Sequence, residues 1–397
     1  MMKIAERILN LSVSQTLAMA QKSRDLKSQG VDIINLSIGE PDFNTPYHIK
    51  EAGKKAIDDN FSHYSPVPGF DDLREAIVEK LKNENNLTYT KDQIVVSNGA
   101  KQSLANVLLS IIDIGDEVII PAPYWVSYIE LVKLAGGIPV VVNSCIENDF
   151  KVTAKQVKEA ITDKTKAFLF NSPSNPSGSI YSYDELKSLA EVFAKYENIL
   201  IISDEIYEYI NFAGKHHSIA GFEKIKDRVA LINGVSKGYA MTGWRIGYLA
   251  SPVWLAKATN KLQGQMTSGA SSIAQKASVA AIKSECPEIE EMKQAFHKRL
   301  KLVMRLLDDI PGIIRNEPHG AFYIFPNINS FFGKSFGELK INNDTDLAMY
   351  LLDKAHVAVV PGIAFGNGNC IRISYAASEE ELKEAMSRIK KALNDLK

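Results

Sequence analysis

Residues 167–204 read AFLFNSPSNPSGSIYSYDELKSLAEVFAKYENILIISD. Two short apolar runs, Ala167–Phe170 and Ile199–Ile202, bracket a stretch, Asp184–Tyr196, whose apolar residues recur at helical spacing. The runs are apolar at consecutive positions, the pattern of strands covered on both faces. Strand, helix and strand in this order predict a mostly parallel sheet with helices packed against it. The same alternation extends outward. Strands are expected at Ile94–Val96, Glu117–Ile120, Pro139–Val142 and Val229–Ile232, and helices at Gln102–Ile111, Trp125–Leu134 and Thr153–Ala160.

The ends of the chain differ. Ser14–Gln29 has helical spacing and stops at Gly30. A long charged amphipathic stretch, Pro287–Leu307, leads into expected strands at Phe322–Phe325, Val357–Val360 and Ile371–Ser374. Helices are expected near Thr345–Lys354 and Glu379–Leu393. The chain therefore divides into an N-terminal arm and part of a small domain (1–46), a large α/β domain (47–285) and the rest of a smaller α+β domain (286–397). No repeat or low-complexity tract interrupts it.

Composition narrows the function classes. The 397 residues are 45% hydrophobic and 23% charged, enough to bury a sizeable core. Lys plus Arg is 46 against 47 for Asp plus Glu, a net charge of −1, which gives no electrostatic reason to bind nucleic acid or an anionic membrane. Cys145, Cys286 and Cys370 are far apart and form no CxxC, the usage of a reduced compartment, and argue against structural zinc. The N-terminus lacks an apolar core of signal-peptide length. The longest uncharged stretch, Ala167–Tyr183, is too rich in Ser, Asn and Pro to span a membrane. A soluble cytoplasmic protein is expected.

In open parallel sheets ligands bind beyond the carboxyl ends of the strands. Behind the first expected strand, Ser97-Asn98-Gly99-Ala100-Lys101-Gln102 opens a helix whose free N–H groups suit a phosphate, or form an ordinary turn. Behind Ala167–Phe170, Asn171-Ser172-Pro173-Ser174-Asn175-Pro176-Ser177-Gly178 is a stiff loop, open to cis bonds. Asp204 ends a buried strand, where a carboxylate needs a cation or several donors, unless it caps the next helix. Lys237 sits among small residues after Val229–Ile232, positioned to be a nucleophilic amine or merely a solvated loop residue. Arg245 follows in a Gly-flanked segment.

Gly234-Val235-Ser236-Lys237-Gly238 also matches the G-x-S-x-G elbow of serine hydrolases. That elbow should open a helix, whereas Met241–Leu249 has an extended pattern, and His297, His319 and His356 fall on no obvious post-strand loop. The Gly362–Gly368 run leads toward a strand rather than a helix, which disfavours a nucleotide-binding loop. No HExxH or acidic EF-hand pattern is present, which argues against a metal enzyme.

Ser-Lys-Gly-Tyr-Ala-Met-Thr-Gly-Trp-Arg-Ile-Gly-Tyr (236–248) resembles the cofactor-lysine segment of the class I aminotransferases, pyridoxal-phosphate (PLP) enzymes of the aspartate aminotransferase fold. Gly-Glu-Pro-Asp-Phe (39–43), Tyr64 before Pro-Gly, Pro-Tyr-Trp (123–125), Asn-Pro-Ser-Gly (175–178), Ser-Asp-Glu-Ile-Tyr (203–207), Gly-Ala-Phe-Tyr (320–323) and Arg-Ile-Ser-Tyr (372–375) follow in the family's order. Ser-Val-Ser-Gln-Thr (12–16) and Gly-Ala-Lys-Gln (99–102) are similar to the bacterial branch that includes prephenate aminotransferases. The chain departs from that branch at Val13 and Gln15, where Pro is frequent, and at Ser174 and Ser177, where Asn and Thr are commoner.

The resemblance implies a seven-stranded, mostly parallel sheet in the large domain and a role for each residue. Lys237 would bind PLP covalently and then move a proton. Asp204 would pair with the ring nitrogen, Tyr207 and Asn175 would bond the phenolic oxygen, and Trp125 would stack on the ring. Gly99, Ala100, Lys101, Ser236 and Arg245 would hold the phosphate. Tyr64 would reach the phosphate of a neighbouring subunit across a homodimer with shared active sites. Arg372 would clamp the substrate α-carboxylate, helped by the Gly39 backbone. Lys101 would receive a distal carboxylate, with Ser14 or Thr16 nearby. The implied activity is amino transfer between aspartate and 2-oxoglutarate. Prephenate or aromatic transamination and C–S lysis are alternatives on the same fold, and a non-catalytic PLP-binding regulator is the rival of a different class.

Overall fold

A computed structural model describes residues 3–13 and 15–397. Ser14, a candidate substrate-binding residue, lies outside the described residues.

Seven strands form the large sheet: β1 Ile94–Ser97, β2 Glu117–Ala122, β3 Ile138–Asn143, β4 Thr165–Asn171, β5 Leu200–Asp204, β6 Val229–Gly234 and β7 Gly247–Ala250. Their spatial order is β1-β7-β6-β5-β4-β2-β3. Only β7 runs antiparallel to its neighbours. The two-sided apolar pattern has its cause in the two cores. Ala167 and Leu169 face one core, with Leu104, Val107 and Val132 of the helices Ala100–Ile111 and Ser127–Leu134. Phe168 and Phe170 face the other, with Leu186, Leu189 and Phe193 of the helix Tyr183–Phe193. Phe168 is fully buried, so trimming it to Ala would cost about 3–5 kcal/mol. Ser182 and Glu185 start that helix with a reciprocal capping box, which contributes about 1 kcal/mol.

β3 departs from the two-sided expectation. It lies at the sheet edge, and Ile138 and Val141 are exposed. The helices Tyr47–Asp58, Asp71–Asn85, Val253–Met266 and Ser272–Lys283 complete the cover of the sheet.

Another core gathers Ile34 and Leu36 with residues from Met292 to Leu396, so both ends of the chain contribute to it, and it takes in Ile206, Tyr207 and Ile210 from the turn after β5. The expected strand Val357–Val360 is in fact two. Val357–Ala358 pairs with Ile34–Asn35, and Val360–Pro361 pairs with Ile371–Ser374 in a different sheet. The long helix runs from Pro287 to Asp308. Among the described residues no helix is long and apolar enough to cross a membrane.

Candidate active site

The post-strand segments converge on a cavity of about 380 Å³ at the carboxyl ends of β4, β5 and β6. Ala100, Lys101, Trp125, Asn175, Asp204, Tyr207, Ser236, Lys237 and Arg245 line it from the large sheet, and Gly39 and Arg372 line it from the other core. Gly99 does not line it but shapes it. Its φ is +85°, and a Cβ there would lie 2.3 Å from the Arg245 guanidinium. Tyr64 stands apart, 98% exposed. Segment 241–249 is not extended throughout: Thr242–Trp244 forms a 3-10 turn, Arg245 has a left-handed backbone, and only then does β7 begin. That turn aims Arg245 toward the cavity. Both Ser172-Pro173 and Asn175-Pro176 are cis.

Strand pairing sets Asp204 in place. It is the last residue of β5 and lies opposite Asn171 of β4 and Ile232 of β6. Its Oδ2 accepts from the Tyr128 phenol at 2.7 Å, and its Oδ1 accepts from the Ile206 N–H at 3.2 Å. Burial pushes its carboxyl up to about 6, opposed by those two bonds, with Glu205 adding to the rise and Lys237 pulling down. No described cation lies within ion-pair distance of it. A buried carboxylate in this state is short of one positive partner.

Lys237 follows β6 and donates to the Gly39 carbonyl. Part of its side chain is open to the cavity, but its amine is withdrawn from bulk water. Burial therefore lowers the amine to about 8, against the pull of Glu40 and with help from Arg372 and Arg245. Its Nζ lies 5.8 Å from the ring centres of Tyr207 and Phe322. The Tyr207 phenol is 2.9 Å from that of Tyr323. Burial holds the Tyr207 phenol well above its ordinary range, so it stays protonated and available to donate.

Arg372 is 1% exposed. It donates to Asn175 Oδ1 at 3.0 Å and to the Ser37 carbonyl at 2.6 Å, and lies over the Tyr323 ring at 4.5 Å. Its Nε is buried without a partner, and no described carboxylate pairs with it. Like Asp204, it is a buried charge awaiting its counter-ion. Lys101 holds its amine 4.9 Å from the Trp125 ring centre, and burial together with Arg245 lowers it.

Sequence reasoning assigned no role to Tyr128 or Tyr323. Tyr323 falls within a motif of the resemblance, but Tyr128 carries no such mark beyond its place three residues after Trp125. The hydrolase elbow fails here, because among the described residues no histidine lines the cavity beside Ser236.

The model of the family "Aminotransferase class I and II" matches residues 31–389. A bifunctional aspartate aminotransferase and glutamate/aspartate-prephenate aminotransferase of Petunia hybrida is 46% identical over 99% of this chain and 83% of its own. The crystal structure of an aspartate aminotransferase from Rhizobium meliloti superposes with a TM-score of 0.97 at 42% identity, covering both chains completely. That of Thermus thermophilus aspartate aminotransferase with maleate gives 0.93 at 37% identity, covering 99% of this chain and all of the other. A family model matched from residue 31 to residue 389, and relatives more than 40% identical over nearly all of the sequence, fix the family: the chain belongs to the class I and II aminotransferases.

Proposed function

We propose that the chain moves the amino group between aspartate and 2-oxoglutarate, with PLP as cofactor. The observation that carries this reading is the unbalanced charge in the cavity. Among the described residues Asp204 has no cation and Arg372 no anion within ion-pair distance, and the Lys237 amine, its hold on the proton weakened by burial, lines the same cavity.

The donor set fits PLP. The helix Ala100–Ile111 begins at the cavity, and the N–H groups of Ala100 and Lys101 have no acceptor within the helix. Arg245 spends its bonds on the Thr242 and Asn98 carbonyls and keeps donors to spare. With Ser236 these groups suit a phosphate. A Cβ on Gly247 would lie 2.2 Å from the Ala100 nitrogen, so glycine there lets the helix start approach the sheet. Asp204 suits a protonated ring nitrogen, Asn175 and Tyr207 suit a phenolic oxygen, and Trp125 offers a ring face. When bound, the cofactor supplies an electrophilic carbon for the amino group and a sink for the electrons left at Cα.

The chain's own residues do the rest. Arg372 fixes the substrate α-carboxylate in two-point fashion, which Lys could not reproduce. Lys237, with its amine near 8, would take the Cα proton as a base and, as an acid, deliver it to the cofactor carbon that carries the transferred nitrogen. Asp204 keeps a positive charge on the ring nitrogen by supplying the matching negative one. Lys101 attracts a distal carboxylate as a point charge. The solved Thermus thermophilus relative was crystallised with maleate, a small dicarboxylate, in support of that last assignment. The exposure of Tyr64 is in keeping with reaching a neighbouring subunit in a homodimer.

A second reading, transamination of prephenate, is favoured by the Lys101–Trp125 pair. A point charge over an aromatic face selects shape less sharply than an Arg fork. A half-reaction panel of amino acids, followed by the change in cofactor absorption, tests both. Aspartate and glutamate are expected to react fastest. Equal or faster turnover of prephenate with glutamate would overturn the aspartate assignment.

A further inference from the structure

Behind the cavity, on the far side of the turn that carries Asp204 and Tyr207, lies a second set of charges. Glu208 N–H donates to the Glu205 carbonyl and Ile210 N–H to that of Tyr207. This turn puts Asp204 and Tyr207 on the cavity side and Glu205 and Glu208 on the other. Both glutamates are buried, 2% and 7% exposed. Glu205 accepts from Ser203 Oγ at 2.8 Å and Ser218 Oγ at 2.6 Å, and pairs with His216 Nε2 at 2.8 Å. Glu208 pairs with the Lys80 ammonium and accepts from Asn85 at 3.0 Å. Lys80 and Asn85 belong to the helix Asp71–Asn85, on the opposite wall.

Two buried carboxylates thus face the Lys80 ammonium and the His216 imidazole, whose hold on a proton burial weakens but the charge of Glu205, its hydrogen bond and the charge of Glu208 raise on balance. Removing either cation leaves a net negative charge inside the protein, directly behind Asp204. The other groups facing the cluster do not supply a replacement. Glu84, on the Lys80 helix, is itself acidic, and the Tyr89 phenol stays neutral because burial raises it. Lys215 and His217 flank His216 in the chain but make no ion pair with either glutamate. The donor atoms of Glu205, Glu208 and His216 lie within 4.8 Å of one another, a spacing that would suit a metal ion. Lys80 already occupies that role on Glu208 and would repel a second cation.

We infer that His216 is a positioning residue for amino transfer: its imidazolium completes a charge-balanced cluster with Glu205, Glu208 and Lys80 that clamps the Asp204–Tyr207 turn from behind. The inference rests on the function proposed above. Loss of the imidazolium makes the cavity more negative and raises the proton affinity of every group in it, Lys237 included. Loss of a glutamate charge does the opposite.

The test is a pH titration of the absorption of the Lys237-bound cofactor in the full-length enzyme. His216→Gln keeps a hydrogen-bonding side chain but cannot carry the charge. It is expected to move the midpoint up by about half a pH unit and to lower kcat more than KM. Glu208→Gln is expected to move the midpoint down by a similar amount. Should one variant fail to fold, the direction given by the other decides. Midpoints that stay put while melting temperatures fall would make the cluster purely structural and overturn the inference. So would one equivalent of zinc that survives dialysis in the wild type and is lost in His216→Gln. A wild-type protein without lysine-bound cofactor absorption would instead sink the aminotransferase mechanism, and the inference with it.

Discussion

The Tyr128 phenol, fully buried in the core beneath the cavity, donates a 2.7 Å hydrogen bond to Asp204 Oδ2. It is the one side-chain donor that the described residues offer this carboxylate. The bond favours the ionised form and opposes the rise that burial imposes. In Tyr128→Phe the carboxyl is expected to move further up. A hydrogen bond to a charged group contributes about 1.5–3 kcal/mol, so kcat should fall about tenfold or more. The acid limb of the kcat profile should shift to higher pH, while KM for aspartate changes about twofold or less. An acid limb that does not move would show that Tyr128 only fills space.

Asp204 also links function to stability. Its folded-state value of about 6 lies above its ordinary value of 3.8. An acid raised in this way is held protonated by the fold, so stability present at low pH is lost as pH rises from 3.8 through 6. The loss is on the order of 3 kcal/mol. Asp204→Asn removes that loss and still offers Tyr128 an acceptor. The cofactor-free variant is expected to melt several degrees above cofactor-free wild type at pH 8, with little difference at pH 4. Amino transfer by the loaded variant should fall by orders of magnitude. A variant less stable at pH 8 would show that Asp204 already has a counter-charge.

Asp204 and Lys237 were legible in the chain because each ends or closely follows an apolar strand, and a parallel sheet gathers such positions at one end; Arg245 was legible only through its Gly-flanked motif. Tyr128 was not, because its role depends on how the helix Ser127–Leu134 is rotated against β5. The Glu205–His216 pair was equally hidden: it is closed by a loop whose path no local pattern fixes. The edge position of β3 escaped because Val140, Val141 and Val142 look like a buried strand until its missing neighbour is known. Val357–Val360 reads as one strand for the same reason. Its apolar residues say nothing about the change of partner at Val359.

Lys237→Ala removes the amine at the centre of the site. Turnover is expected to drop below detection, because no other described lysine reaches the same point of the cavity. The groups proposed to hold the phosphate, Ala100, Ser236 and Arg245, remain, so PLP should still bind, though more weakly. Its absorption should then be that of the free aldehyde. Retained turnover would move the covalent role to another residue. Complete loss of PLP binding would show that the phosphate donors contribute little.

Lys101 has two possible duties, and a substrate comparison separates them. Its backbone N–H faces the expected phosphate position, whereas its side-chain amine lies against Trp125 on the cavity wall. Lys101→Ala keeps the backbone group and deletes the amine. If the amine receives the distal carboxylate, kcat/KM for aspartate should fall by about tenfold or more, while alanine, which has no such group, should lose about twofold or less. Burial and Arg245 both lower the Lys101 amine, so wild-type discrimination in favour of aspartate should fade at alkaline pH as that amine gives up its proton. The variant should show no such fading. Equal losses for aspartate and alanine would assign the side chain to the phosphate or to the fold.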